Sequence, residues 1–179
     1  AEKDPYIFIA ACLCDFSNVP VTTIDRGSLG GFNGRTTVGF STVDFGGGTK
    51  KITISVGNSG GGEDYPVELY LGDADNGGRY IGTFAIKNNG GWDRAYPPTF
   101  DLPCRISGTH DISFVINNFC IFGGFEFEKY DRTYAENSAA DNDNLYGDDY
   151  KVNGSCVEEI GNNVVIEFND LDFEGGTDK

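Results

Sequence analysis

Glycine comes in pairs and triplets along this chain, mostly beside Asn or Asp, and the apolar residues are confined to short runs between these clusters. Gly46-Gly47-Gly48, Gly60-Gly61-Gly62, Asn76-Gly77-Gly78 and Asn88-Asn89-Gly90-Gly91 are the clearest cases. Gly and Asn accept the positive φ angles of tight turns at little steric cost, so each cluster marks a reversal of the chain. The runs between them alternate with period two, the signature of a strand with one buried face. Lys51-Ile52-Thr53-Ile54-Ser55-Val56 is the cleanest, followed by Val67–Leu71, Tyr80–Ile86, an extended segment closing at Asp101-Leu102-Pro103, Thr109–Ile116 and Phe125-Glu126-Phe127. No segment carries an apolar stripe of helical period over three turns. Strands every 10–15 residues with turns between them specify an all-β protein, a sandwich or a barrel.

A second feature divides the chain. Phe40-Ser41-Thr42-Val43-Asp44-Phe45-Gly46-Gly47-Gly48-Thr49-Lys50-Lys51 returns 128 positions later as Phe168-Asn169-Asp170-Leu171-Asp172-Phe173-Glu174-Gly175-Gly176-Thr177-Asp178-Lys179, with seven of the twelve positions identical. That spacing is longer than a solenoid unit of roughly 20–50 residues, so the repeat is domain-sized. The expected organisation is one sandwich over residues 1–128, then a linker and the opening portion of a second copy over 129–179. Between them, Asp131 to Asp149 is polar and rich in Asp and Asn.

Charge narrows the partners. A formal net charge of −15 repels phosphate backbones and anionic lipid surfaces, which argues against nucleic acid and membrane-surface partners and leaves neutral or cationic ligands. No apolar run reaches the ~20 residues of a membrane span. The five cysteines, Cys12, Cys14, Cys104, Cys120 and Cys156, include no Cys-x-x-Cys pair and form no zinc pattern. Cys14, Cys104 and Cys120 lie among apolar residues and read as small buried hydrophobes. An odd cysteine count leaves the redox compartment undetermined; an extracellular location is expected, with a cytoplasmic one as the alternative.

The stretch Val43 to Phe127 resembles carbohydrate-binding module family 6. Val43-Asp44-Phe45-Gly46-Gly47-Gly48, Val67-Glu68-Leu69-Tyr70-Leu71-Gly72, Tyr80-Ile81-Gly82-Thr83-Phe84, Asn88-Asn89-Gly90-Gly91-Trp92 and Ser107-Gly108-Thr109-His110-Asp111-Ile112 follow one another in that family's order. The resemblance implies a jelly-roll β-sandwich of two antiparallel sheets, of the galactose-binding-like kind. It also implies a non-catalytic module that holds an oligosaccharide or polysaccharide for an attached catalytic domain. Phe125–Lys129, Asn144–Asp149 and Ile160–Val164 are similar to the tandem modules behind the catalytic domain of some family 2 glycoside hydrolases, which would place a neighbouring repeat beside the first.

Within that resemblance the sugar lies between two aromatic rings at the loop end. Trp92 matches one of them, and Phe32, beside Gly31, is the candidate for the other. The family's sugar-binding Asn is replaced by Ile121; Asn117 and Asn118, in the loop adjoining Trp92, are candidate hydroxyl partners, able both to donate and to accept. The family's structural Ca²⁺ takes a Glu near the first strand and an Asp near the last; here Phe8-Ile9-Ala10-Ala11 and Gly123 supply no acid. If a structural Ca²⁺ is present, Asp141-Asn142-Asp143-Asn144 with Asp148 and Asp149 offers the hard oxygens it needs. His110, the sole histidine, has no nucleophile signature near it and reads as a surface residue. Glu158 and Glu159 are adjacent in an extended segment and so face opposite ways, which does not suit paired-carboxylate glycosidase chemistry. Two functions follow: a carbohydrate-binding module serving a glycoside hydrolase, or a structural module with a decayed sugar site that braces an attached enzyme or oligomer.

Overall fold

The computed structural model describes residues 2–58, 64–88, 91–92, 96–117, 120–133, 137–154, 156–169, 171 and 173. It divides into two units, Ala1–Lys129 and Tyr130–Lys179.

The first unit is a sandwich of eleven strands: β1 (Ile9–Ala10), β2 (Phe16–Ser17), β3 (Thr22–Thr23), β4 (Leu29–Gly30), β5 (Thr36–Asp44), β6 (Thr49–Gly57), β7 (Tyr65–Leu71), β8 (Arg79–Ile86), β9 (Thr99–Ile106), β10 (Thr109–Ile116) and β11 (Ile121–Lys129). One sheet runs β2-β5-β10-β7-β8; the other runs β3-β4-β11-β6-β9, with β1 also on β11. All these pairings are antiparallel. The only helical turns among the described residues are three-residue 3-10 turns. Among the described residues no helix is long and apolar enough to cross a membrane.

The alternation seen in the sequence is the alternation between core and solvent. In β6, Ile52 and Ile54 are fully buried, while the Thr53 hydroxyl between them pairs with that of Thr99 on β9 at 2.7 Å. Pro103 lies in β9, at the sheet's edge, where a missing N–H costs no ladder bond. Aromatic rings join the two layers. Phe40 of β5 meets Phe125 of β11 edge-to-face at 4.8 Å, and Phe45 meets Phe127 at 4.9 Å. Each such ring contributes about 3–5 kcal/mol against truncation to Ala.

The first 40 residues, unmatched by any periodic signal, contribute β1 to β4. Of these, β1 and β4 pair with β11 on the two sides of its bulge between Phe122 and Gly124, β3 pairs with β4, and β2 pairs with β5 in the other sheet. Gly124 adopts φ 137°, and a Cβ there would stand 2.1 Å from the Ile9 carbonyl oxygen and 2.9 Å from Phe8 Cζ. Only a residue without a side chain lets β1 approach so closely, and Phe8 stands beside the space that a side chain at position 124 would need.

Among its described residues the second unit holds two small antiparallel sheets. One pairs β12 (Asn144–Tyr146) with β15 (Val165–Glu167), and the other pairs β13 (Lys151–Asn153) with β14 (Cys156–Glu158). Among its described residues Arg132 is the deeply buried one, 2% exposed, with Nη1 donating to Asp143 Oδ2 at 2.7 Å and the guanidinium stacked 4.9 Å from the Phe168 ring centroid.

Candidate functional site

Strand register decides which loops can meet. Ile116 pairs with Thr36 and with Val67, Ile86 with Tyr65, and Gly57 with Ile121. The strand ends at Thr36, Gly57, Tyr65, Ile86, Ile116 and Ile121 therefore all gather at one end of the sandwich. Two backbone contacts hold the 87–98 connection there: an antiparallel bridge between Asn58 and Gly91, and an Ile54 N–H donated to the Pro98 carbonyl at 3.1 Å. Trp92 follows the bridge directly and is 40% exposed. Tyr96, four residues on, is 94% exposed.

Asn117 is half-buried at the end of β10, and Asn118 lies outside the described residues. Phe32 corrects the sequence expectation. It is 2% exposed and belongs to the sandwich core, so its ring offers no platform to a ligand. Gly31 before it adopts φ 78°, a turn that brings the next side chain into the core. Position 121, where the family's Asn would stand, is the first residue of β11. Cys120 just before it is buried, and burial pushes its thiol up to about 12, so it stays protonated and apolar beneath the loops.

The opposite end is built differently. The Tyr6 hydroxyl stands 2.6 Å from the Phe45 carbonyl oxygen and 2.9 Å from that of Gly48, and Arg105 donates to the Gly47 carbonyl at 2.7 Å. The Val43–Gly48 motif is thus a clamped turn. Burial, with Asp4 and Asp44 nearby, raises Tyr6 to about 12. An open cleft here is lined by Lys3, Asp4, Tyr6, Asp44, Gly46 and Lys129, and its one aromatic hydroxyl is committed to the backbone. His110 is half-buried, with Nε2 2.8 Å from the Ser107 carbonyl oxygen, and closes its own turn.

Further aromatic residues on the surface were not singled out by sequence reasoning. Tyr70 and Tyr80 are register partners on β7 and β8, edge-to-face at 5.4 Å, with Tyr80 53% exposed. Tyr70 donates to Glu68 at 2.9 Å. Alternation on β7 places Glu68 and Tyr70 together on the outer face, which is the signal that could have found them.

The residues at the family's calcium position do not fit the ion. Ile9 and Ala10 pair there with Phe125 and Gly124, and none of these four residues carries a carboxylate. Among the described residues no three His, Cys, Asp or Glu side chains come together as a metal site. In the Asp-rich segment, Asp143 serves Arg132 and the Asn169 N–H, the latter at 2.7 Å. None of the five cysteines is in a disulfide.

Fold and strand register together define the class: an antiparallel β-sandwich of two sheets with Trp92 exposed at one end. A sequence model of carbohydrate binding module family 6 matches residues 17–129. The chain belongs to carbohydrate-binding module family 6, whose members are non-catalytic sugar-binding modules. No curated protein matches the chain. Among solved structures it is similar to a family 6 module of Clostridium stercorarium in complex with cellobiose, at TM-score 0.62 and 20% identity over 73% of this chain and 98% of that one. A β-1,3-glucan-binding family 6 module from Bacillus halodurans matches at TM-score 0.57 and 24% identity, covering 72% and 99%. A family 43 arabinoxylan arabinofuranohydrolase from Bacillus subtilis matches at TM-score 0.60 and 18% identity over 73% of this chain, which is 28% of that enzyme. At these identities the structural matches show the fold alone.

Proposed function

We propose that the first unit binds a neutral glycan at its loop end through Trp92, with Tyr96 as the second exposed ring and Asn117 as a hydroxyl partner. The observation that carries this reading is the exposure of Trp92 on a turn fixed by the Asn58–Gly91 bridge. A sugar's axial C–H face is apolar and stacks on a flat π surface, and an anchored ring loses little entropy on binding. The strongly acidic surface suits an uncharged ligand. Attachment to a glycoside hydrolase is part of the proposal, supported by the family 43 enzyme in which a matching module is built into the longer chain. The aromatic face would keep that enzyme near its polysaccharide.

The second reading is a bracing module whose sugar site has decayed. Burial of Phe32 favours it, because the clamp then lacks the ring expected beside Gly31. Calorimetric titration with cello-, xylo- and laminari-oligosaccharides separates the two. The binding reading expects saturable heat that Trp92→Ala abolishes and Tyr80→Ala leaves unchanged. Loss of binding in Tyr80→Ala alone would move the site to the outer sheet face, and no heat with any sugar would leave the bracing role.

A further inference from the structure

The twelve-residue echo plays no part in the sugar site, and most of its second copy lies outside the described residues. The residues before it nevertheless repeat the architecture of the first unit at the same spacing of 128 positions. A 3-10 turn at Ala11–Leu13 has its counterpart at Ala139–Asp141. The β2/β5 register, Phe16 with Gly39 and Ser17 with Val38, returns in β12/β15 as Asn144 with Glu167 and Leu145 with Ile166. Asp15 N–H donates to the Gly39 carbonyl at 2.8 Å, as Asp143 N–H does to that of Glu167 at 2.8 Å.

The carboxylates repeat as well. Asp15 Oδ2 accepts from the Ser41 N–H at 2.6 Å and from Lys3 at 2.7 Å; Asp143 Oδ2 accepts from the Asn169 N–H at 2.7 Å and from Arg132 at 2.7 Å. Backbone signs agree too, with Arg26 at φ 53° against Gly154 at 59° and Gly31 at 78° against Glu159 at 53°. The hairpin β13/β14 corresponds to β3/β4 with its pairing slipped by one residue, since Thr23 pairs with Leu29 but Lys151 with Glu158. In the first unit those two hairpins belong to opposite sheets, and here they likewise form two separate sheets.

One difference runs through the comparison. Val38 and Phe40 are fully buried, whereas their counterparts Ile166 and Phe168 are only half-buried. β5 lies between β2 and β10, while β15 pairs with β12 alone among the described residues. We propose that the described residues between 137 and 169 are the opening of a second sandwich folded in the register of the first, and that the open edge of β15 is the acceptor for a strand of the β10 kind. Its occupant is an extended segment with apolar residues at alternate positions, as Thr109–Ile116 supplies to β5 in the first unit. An unpaired edge with a half-covered apolar face is a template for such a strand.

Lys179 stands 128 positions after Lys51, so appending a second copy of Ile52–Lys129 at the C-terminus continues the repeat in register. Hydrogen exchange, read in the 179-residue chain and in the extended chain, tests the proposal without any sugar. The amides of 144–146 and 165–167 should exchange at least tenfold more slowly in the extended chain. An extension carrying Asp at the added copy's equivalent of Phe114 should leave them fast. Unchanged rates in the first extension, or equal slowing by the charged one, would overturn it.

Discussion

The ring of Phe16 lies against the bare backbone of Gly39: a Cβ at position 39 would stand 1.9 Å from Phe16 Cζ. The two are register partners, so an aromatic side chain on the short strand β2 covers a glycine in the long strand β5. Gly39 has no positive φ, so its backbone would accept alanine and the conflict is purely steric. Gly39→Ala should therefore cost about 1–3 kcal/mol through forced displacement of the ring. In the Phe16→Ala background the same change should cost far less, and chemical denaturation of the double-mutant cycle checks it. Equal costs in both backgrounds would contradict the packing.

Acid stability should depend on Asp15. Partial burial works against its ionised form, but hydrogen bonds from Lys3 and the Ser41 N–H outweigh it and hold the carboxyl below the usual carboxylate range. A carboxyl depressed in the folded state contributes stability above its unfolded value of about 3.9 and loses it as pH falls through the folded value. Asp15→Asn should thus lower Tm at pH 7 and bring the two proteins together near pH 2. A deficit that persists undiminished in acid would show that the charge is irrelevant.

Tyr6 should govern the alkaline limb. Its pKa is raised to about 12, chiefly by burial, so the neutral hydroxyl is the folded form. The stability it contributes is complete below the unfolded value of about 10 and is lost as pH rises from there toward 12. Tyr6→Phe should cost about 1 kcal/mol at neutral pH by removing the hydroxyl between the Phe45 and Gly48 carbonyls. Thermal melts at pH 7, 10 and 11.5 should show that cost shrinking with pH.

Chelation should leave thermal stability where it is. The β1/β11 position carries no carboxylate, and Asp143 is committed to Arg132. A site filled at 100 times its dissociation constant stabilises by about 2.7 kcal/mol, so losing a bound ion would be visible as a shift of several degrees. Melting with EDTA and with added Ca²⁺ checks this, and such a shift would place an ion elsewhere in the protein.

The long strands were legible because each carries enough residues to display its period. Lys51–Val56 and Thr109–Ile116 lie within β6 and β10 as the alternation drew them. The two-residue strands β1 to β4 carry no period, and the approach of β1 depends on Gly124, far off in sequence. Phe32 was misplaced for a related reason: its neighbour Gly31 suggested an exposed turn, and only the direction of that turn shows which way the ring goes. Asp143 read as a metal-suited oxygen because its partner Arg132 is a contact that composition does not reveal. Tyr96 escaped notice since a lone Tyr after a Gly-rich turn has no pattern to mark it.

Trp92 is the only tryptophan in the chain, so its fluorescence reports on the loop end alone. Titrating soluble cello-, xylo- and laminari-oligosaccharides into the intact protein while following that emission is the most direct measurement of sugar binding at this ring. A saturable shift in intensity and wavelength with at least one of these sugars is the expected result, together with a Trp92→Ala variant that melts close to the parent and binds none. Unaltered emission with every sugar, and a variant destabilised by the 3–5 kcal/mol typical of a buried Trp→Ala change, would show a ring that packs over its own sandwich instead.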